Sequence, residues 1–361
     1  MKKSTPITAA IIGCGVIGPN HARALELDGR AALKWACDID AKRQGRIAAP
    51  KFTRDYREVL ADPEVDLVCV CTPHPVHAEV ACAALAAGKH VVCEKPLASH
   101  PSELAKMIEA AGKRPDLVAA GIFQHRFTPF ARRLKTLLSG GDFGRILQAS
   151  VEFRCTRTEE YYASDAWRGK WKEEGGGVLL NQAIHTLDIF QWWLGGDPVE
   201  VDGTVARRRM ACIEVEDFGE ARVRFASGSS AVVRAVNDGV SGWGVDLVIE
   251  AEYGSVRVGD SHRPVEVKHQ STSLATELWA MGQVRLDGIR MPGKAVYGDH
   301  HALQLADAVS AILEGRKPFV TFQDASAANA IVLGMYHSTA VGGAVSLPLK
   351  DYKTPVLPLA P

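Results

Sequence analysis

The chain has 361 residues, 42 Lys+Arg against 42 Asp+Glu, and is 47% hydrophobic and 23% charged. That length predicts two domains, or one large domain with an elaboration, and the composition argues against intrinsic disorder. Zero net charge gives no electrostatic reason for nucleic acid or an anionic membrane to be a partner.

No apolar run reaches the ~18 residues of a membrane span. The eight cysteines sit mostly in apolar runs and form no C-x-x-C. They are expected to be reduced thiols of a cytoplasmic protein, not a disulfide scaffold. Met1-Lys2-Lys3 followed by Ile7 to Cys14 imitates a short lipoprotein signal. Cleavage there would remove a strand and half of a Gly-rich motif, so the segment is expected to stay.

In chain order, Ile7 to Ile12 predicts a buried strand and Asn20 to Leu27 a helix. Leu33 to Cys37 is the next strand. Leu67 to Cys71 is apolar at every position, as a strand covered on both faces should be. A helix over Val76 to Ala87 and strands over His90 to Cys93 and Leu117 to Ala120 complete an alternating series. Such alternation predicts a parallel, doubly wound Rossmann sheet over residues 1–123. Beyond it come a helix at Pro129 to Leu138 and strand-like runs at 146–153, 199–206, 221–225, 231–236 and 245–249. Short turns between them predict an antiparallel sheet in a second domain over 124–361. Helices are expected at His301 to Leu313 and Asp324 to His337.

Gly13-Cys14-Gly15-Val16-Ile17-Gly18 is G-x-G-x-x-G, placed where a strand hands over to a helix. Gly13 permits the tight turn, Gly15 lets the backbone approach a pyrophosphate, and Gly18 permits close helix–strand packing. Asp38 lies twenty residues after Gly18, at the end of the second strand. A carboxylate there binds ribose hydroxyls, which favours NAD over NADP, although Arg43 offers a compensating charge. Thr72, Pro73, His74 and His77 follow the all-apolar strand. His74 and His77 form H-x-x-H but have no further donor at ligand spacing. Cofactor contact or helix capping is therefore expected, and no metal. Glu94-Lys95-Pro96 leaves the next strand. Lys95 there can stabilise negative charge on a substrate oxygen, and Pro96 permits a cis bond. Gly175-Gly176-Gly177 opens a helix carrying Asn181 and His185 on one face, and the glycines are expected to let a cofactor or substrate come close. His185 suits a general base because its ordinary pKa lies near working pH.

Together these segments resemble the glucose–fructose oxidoreductase / inositol dehydrogenase / MocA family. The match also takes in Trp167-Arg168-Gly169 and the region from Pro318 to Pro348, so it covers essentially the whole chain. It implies a NAD-dependent oxidoreductase acting on a cyclic sugar, sugar derivative or polyol. The alternatives are a NAD-dependent glycosidase working by transient oxidation, or a non-catalytic ligand sensor. It implies an N-terminal Rossmann domain and a C-terminal α+β domain with a large, mostly antiparallel open sheet, a homodimer or homotetramer formed through that sheet, and Lys95 and His185 as the catalytic pair. Cofactor contacts are expected from Gly13, Gly15, Val16, Ile17, Gly18, Asp38, Thr72, Pro73, His74, His77, Glu94, Lys95, Gln124, Trp167 and Arg168. Substrate contacts are expected from Lys95, Arg126, Tyr162, Asn181 and His185. For Arg126 a structural role is an equal alternative, as packing is for the aromatics between Cys155 and Gly175. Over residues 154–174 five basic residues, Arg154, Arg157, Arg168, Lys170 and Lys172, balance five acidic ones, so charge selects no substrate. Many family members carry Asp where this chain has Asn181. An amide cannot accept the proton, which leaves that work to His185.

Overall fold

The computed structural model describes residues 6–238, 240, 242–284, 292 and 298–359. Met1-Lys2-Lys3 lies outside them. In chain order the elements are β1 (Ile7–Ile12), α1 (Gly18–Asp28), β2 (Ala31–Cys37), β3 (Lys51–Thr53), α2 (Tyr56–Ala61), β4 (Leu67–Val70), α3 (His77–Ala86), β5 (His90–Cys93), α4 (Pro101–Gly112), β6 (Ala119–Gly121), α5 (Pro129–Gly140), β7 (Ile146–Cys155), α6 (Glu159–Ala163), α7 (Ile184–Leu194), β8 (Pro198–Ala206), β9 (Phe218–Phe225), β10 (Ser230–Asn237), β11 (Gly244–Ala251), β12 (Gly254–Val258), β13 (Pro264–His269), α8 (Thr272–Gly282), α9 (Gly298–Glu314), α10 (Phe322–Val341) and β14 (Val345–Ser346). Among the described residues no helix is long and apolar enough to cross a membrane.

The described residues of 1–98, 102–127 and 286–326 form one compact unit, and those of 99–101, 128–285 and 327–361 form a second. A single break at 123 therefore does not describe the packing, because α9 belongs to the first unit. Leu305, Ala308, Val309 and Ala311 of α9 share a buried core with Ile7, Ile11 and Leu25. Burying that apolar stripe outweighs its distance along the chain.

The first unit is a six-stranded parallel sheet in the order β3-β2-β1-β4-β5-β6. Every residue of β4 is buried, as its apolar run requires. The loops leaving β1, β4, β5 and β6 thus share the carboxyl edge, where ligands of such sheets bind. The second unit holds an eight-stranded sheet in the order β13-β12-β11-β7-β10-β9-β8-β14. It is antiparallel except for the β7–β10 pair. Along β9 and β10 buried residues alternate with exposed ones: Ala221, Val223 and Val233 point in, Arg222, Arg224 and Arg234 point out. This period of two leaves one face open.

Candidate functional site

In the first unit the three motif glycines differ in what surrounds them. Gly13 has φ +104°, and a Cβ there would lie 2.3 Å from the Cys71 carbonyl oxygen. A Cβ on Gly18 would lie 2.3 Å from the Gly13 carbonyl oxygen. Both positions are therefore closed by the protein's own backbone. Gly15 instead meets nothing nearer than Arg43 Nη1 at 3.6 Å. It faces open space beside a helix N-terminus, the place for a phosphate. Val16 is exposed and Ile17 half-buried.

Asp38 is buried at the end of β2. Its Oδ2 accepts from the Cys14 N–H at 2.8 Å and from Arg43 Nη1 at 3.3 Å, and its Oδ1 accepts from the Asp40 N–H at 2.9 Å. Oδ1 keeps a lone pair for a ribose hydroxyl. Two polar groups on the same edge make no hydrogen bond among the described residues: the Thr72 hydroxyl and the side-chain amide of the fully buried Gln124. Buried polar atoms left this way want a partner.

His77 is buried between two carbonyls, with Nδ1 2.7 Å from Pro96 O and Nε2 2.8 Å from Thr72 O. Burial pushes its pKa down while the two carbonyls oppose that. Both ring nitrogens are thus taken up in joining the loops after β4 and β5. His74, also buried, has its ring 5.8 Å from that of His77. The Lys95–Pro96 bond is cis, and Lys95 is half-buried. Arg126 is buried and donates to the Asp324 carbonyl at 3.3 Å.

In the second unit Gly177 leads into a widened π turn over Val178–Ala183, which runs on into α7. Asn181 therefore sits in the π turn and His185, buried, in the first α turn. The expectation that the glycine run admits a ligand is corrected here. A Cβ on Gly175 would lie 2.2 Å from Ser99 Cβ, one on Gly176 2.2 Å from the Tyr336 hydroxyl, and one on Gly177 2.0 Å from the Glu216 carbonyl. The close approach is to the protein itself.

Glu216 is fully buried beneath the start of this helix. Its Oε2 accepts from the Gly177 N–H at 2.8 Å, and its Oε1 accepts from the Leu179 N–H at 2.9 Å and the Tyr336 hydroxyl at 3.0 Å. Burial pushes its pKa up to about 7, against the pull of those donors. Glu174 is equally buried. Its Oε2 accepts from the Gly169 N–H at 2.5 Å, and its Oε1 accepts from Asn181 Nδ2. Asn181 Nδ2 also reaches the Tyr161 hydroxyl at 3.4 Å.

Residues 7–122 match a family model described as an oxidoreductase family with an NAD-binding Rossmann fold, and residues 131–257 match the GFO/IDH/MocA C-terminal domain. The chain belongs to the Gfo/Idh/MocA oxidoreductase family. Inositol 2-dehydrogenase 3 of Saccharopolyspora erythraea is 27% identical over 352 residues, covering 96% of each chain. Levoglucosan dehydrogenase of Pseudarthrobacter phenanthrenivorans is 29% identical over 269 residues, covering 64% of this chain and 68% of its own. The crystal structure of the WlbA dehydrogenase from Bordetella pertussis, in complex with NADH and UDP-GlcNAcA, is similar with a TM-score of 0.85. It is 27% identical, over 96% of this chain and 99% of that one.

Against this family background, the remaining expected contacts fall as follows. Arg168 is stacked between Tyr161 at 4.2 Å and Trp167 at 4.5 Å, and pairs with Asp165 at 3.3 Å. Tyr162 packs with Met210, Ile213 and Val215, and its hydroxyl accepts from Asn237 Nδ2 at 3.2 Å. Trp171 packs edge-on against Tyr336. These aromatics have protein partners. Sequence reasoning missed Glu174 and Glu216, and also His21 and His301, whose imidazoles meet Glu94 in the first unit. Glu174 stands directly before the glycine run, a position that signals a helix N-terminus. Glu216 carries no such mark.

Proposed function

We propose that this chain is a NAD-dependent dehydrogenase that interconverts a carbinol and a carbonyl carbon on a cyclic sugar, sugar derivative or polyol. NAD, when bound, supplies the hydride acceptor. His185 takes the hydroxyl proton, and Lys95 stabilises the alkoxide that develops as the C–H bond breaks. Asn181 orients substrate. The observation that carries the cofactor half is the contrast at the Gly-rich turn. Gly13 and Gly18 are closed by backbone while Gly15 stays open, beside an Asp38 locked to the same turn. The substrate class is supported by the relatives, which are dehydrogenases of inositol and levoglucosan by name.

The test is a panel of sugars, inositols and nucleotide sugars with NAD and NADP, read at 340 nm. Reduction of NAD by at least one member is expected. Lys95→Ala and His185→Ala should each lower kcat about 10²-fold or more. Near wild-type turnover in both variants overturns the assignment. Free sugar released from a glycoside with catalytic NAD and no net NADH would instead identify the transient-oxidation chemistry.

We infer, further, that the open face of the eight-stranded sheet joins copies of the chain as a homodimer or homotetramer. Exposed Val232, on the same side of β10 as Arg234, supports this. Light scattering tests it, and a monomer would overturn it. All eight cysteines are free, which supports a reducing, cytoplasmic setting.

A further inference from the structure

Glu94 is a buried carboxylate whose oxygens are divided between two tasks. Oε1 faces His21 Nε2 at 2.8 Å and His301 Nε2 at 3.3 Å. Oε2 accepts the backbone N–H of Lys95 at 3.2 Å. His21, Glu94 and His301 are 0%, 5% and 2% exposed, so these contacts are made away from bulk solvent. His21 comes from α1 beside the Gly-rich turn. His301 comes from α9, more than two hundred residues beyond Glu94. Three residues along the same helix, Gln304 bridges the exit of β6: its Nε2 donates to the Gly121 carbonyl at 2.7 Å and its Oε1 accepts the Phe123 N–H at 3.0 Å. One face of α9 therefore holds two neighbouring loops of the carboxyl edge.

We propose that His301 is a positioning residue, which through Glu94 fixes the backbone at Lys95 and so aims the lysine side chain. The inference rests on the role given to Lys95 above. Each imidazole donates from Nε2–H into one carboxylate oxygen, which needs neither ring to be protonated. His21 Nδ1 makes no hydrogen bond among the described residues. A metal reading fits less well. Both nitrogens converge on a single oxygen at hydrogen-bond distance while the other oxygen is committed to an N–H, and a ligating histidine normally donates its second ring nitrogen to a partner.

The experiment compares His301→Leu, His301→Asn and His301→Gln with wild type, each as the NAD-bound full chain. Glutamine extends an N–H donor toward Glu94, asparagine retracts it, and leucine removes it. With the best substrate of the panel, kcat should fall about 10-fold or more in the leucine and asparagine variants, since displacements near 1 Å cost up to 10²-fold. KM for NAD should stay within about 3-fold, and glutamine should restore most of the lost kcat. A second readout needs no substrate. After reductive 13C-methylation, the dimethyl resonance of Lys95, assigned by its absence in Lys95→Arg, should move in the leucine and asparagine variants and return in the glutamine variant. An unmoved resonance in all three, wild-type kcat in the leucine variant, or stoichiometric bound metal that His301→Leu abolishes would overturn the proposal. Full activity of Lys95→Ala would show that the underlying assignment had failed, not the link through Glu94.

Discussion

Asp38 Oδ2 and the Cys14 N–H are joined at 2.8 Å, so the end of β2 and the Gly-rich turn after β1 form one rigid piece. The bond occupies one lone pair of Oδ2 and sets the carboxylate's orientation. Arg43, 3.3 Å away, balances the charge from the exposed side.

The first prediction concerns cofactor choice. A charge-assisted hydrogen bond from ribose to Asp38 is worth roughly 1.5–3 kcal/mol, and a 2′-phosphate would replace that donor with like charge. At 1.4 kcal/mol per decade, wild type should prefer NAD over NADP by about 10- to 100-fold. Asp38→Ala should weaken NAD and narrow that gap, since Arg43 is then released toward a phosphate. Fluorescence titration with both cofactors measures it. Equal affinities in wild type would reverse the argument.

Gly13→Ala and Gly15→Ala should separate folding from binding. At Gly13 the new methyl meets Cys71 backbone at 2.3 Å in a left-handed conformation. That should cost about 1–3 kcal/mol or more and lower Tm visibly. At Gly15 the methyl enters open space, so Tm should hold while NAD affinity drops about 10-fold or more by steric exclusion. Loss of Tm in both variants would mean that Gly15 is structural.

Much of this was legible because its physics is local. The β4 run was apolar throughout, and the G-x-G-x-x-G turn had to sit between a strand and a helix. β3 and α2 escaped because three- and six-residue elements carry too little periodicity to register. The tie between α9 and the first unit escaped for another reason: core membership of Leu305 and Val309 depends on a partner surface almost three hundred residues away. Glu174 and Glu216 looked like ordinary surface acids. Their burial follows from backbone N–H groups that need acceptors, which no composition count reveals. The π turn at Asn181 likewise has no signature in residue types.

Glu174 explains why an amide stands at 181. Its buried carboxylate accepts from Asn181 Nδ2, which turns Asn181 Oδ1 away as an acceptor. Asn181→Asp would set two carboxylates side by side in a buried place, where they cannot both ionise. That variant should lose stability and turnover, and Glu174→Gln should lose part of each. The double variant restores a carboxylate–amide pair and should recover, with a coupling energy of about 0.5–3 kcal/mol in the double-mutant cycle. Simple additivity would show that the two residues act independently.

The last prediction is a pH dependence carried by Glu216. Its folded pKa, about 7, lies above the ordinary 4.5 because burial disfavours the charged form more than Gly177, Leu179 and Tyr336 favour it. A group raised in this way contributes stability that is fully present below about pH 4.5 and is lost as pH rises through about 7. At 1.36 kcal/mol per pH unit, the contribution is about 3 kcal/mol. The second unit should therefore melt at lower temperature at pH 8 than at pH 5, with the change centred between these values. Glu216→Gln cannot ionise. It should start from a lower Tm, because one of its two terminal atoms is a donor facing backbone N–H groups, and its Tm should change less over the same range. Calorimetric scans of wild type and variant from pH 5 to 8 give the difference directly. Parallel curves would assign the pH response to other groups and leave Glu216 as a cap that stays ionised throughout.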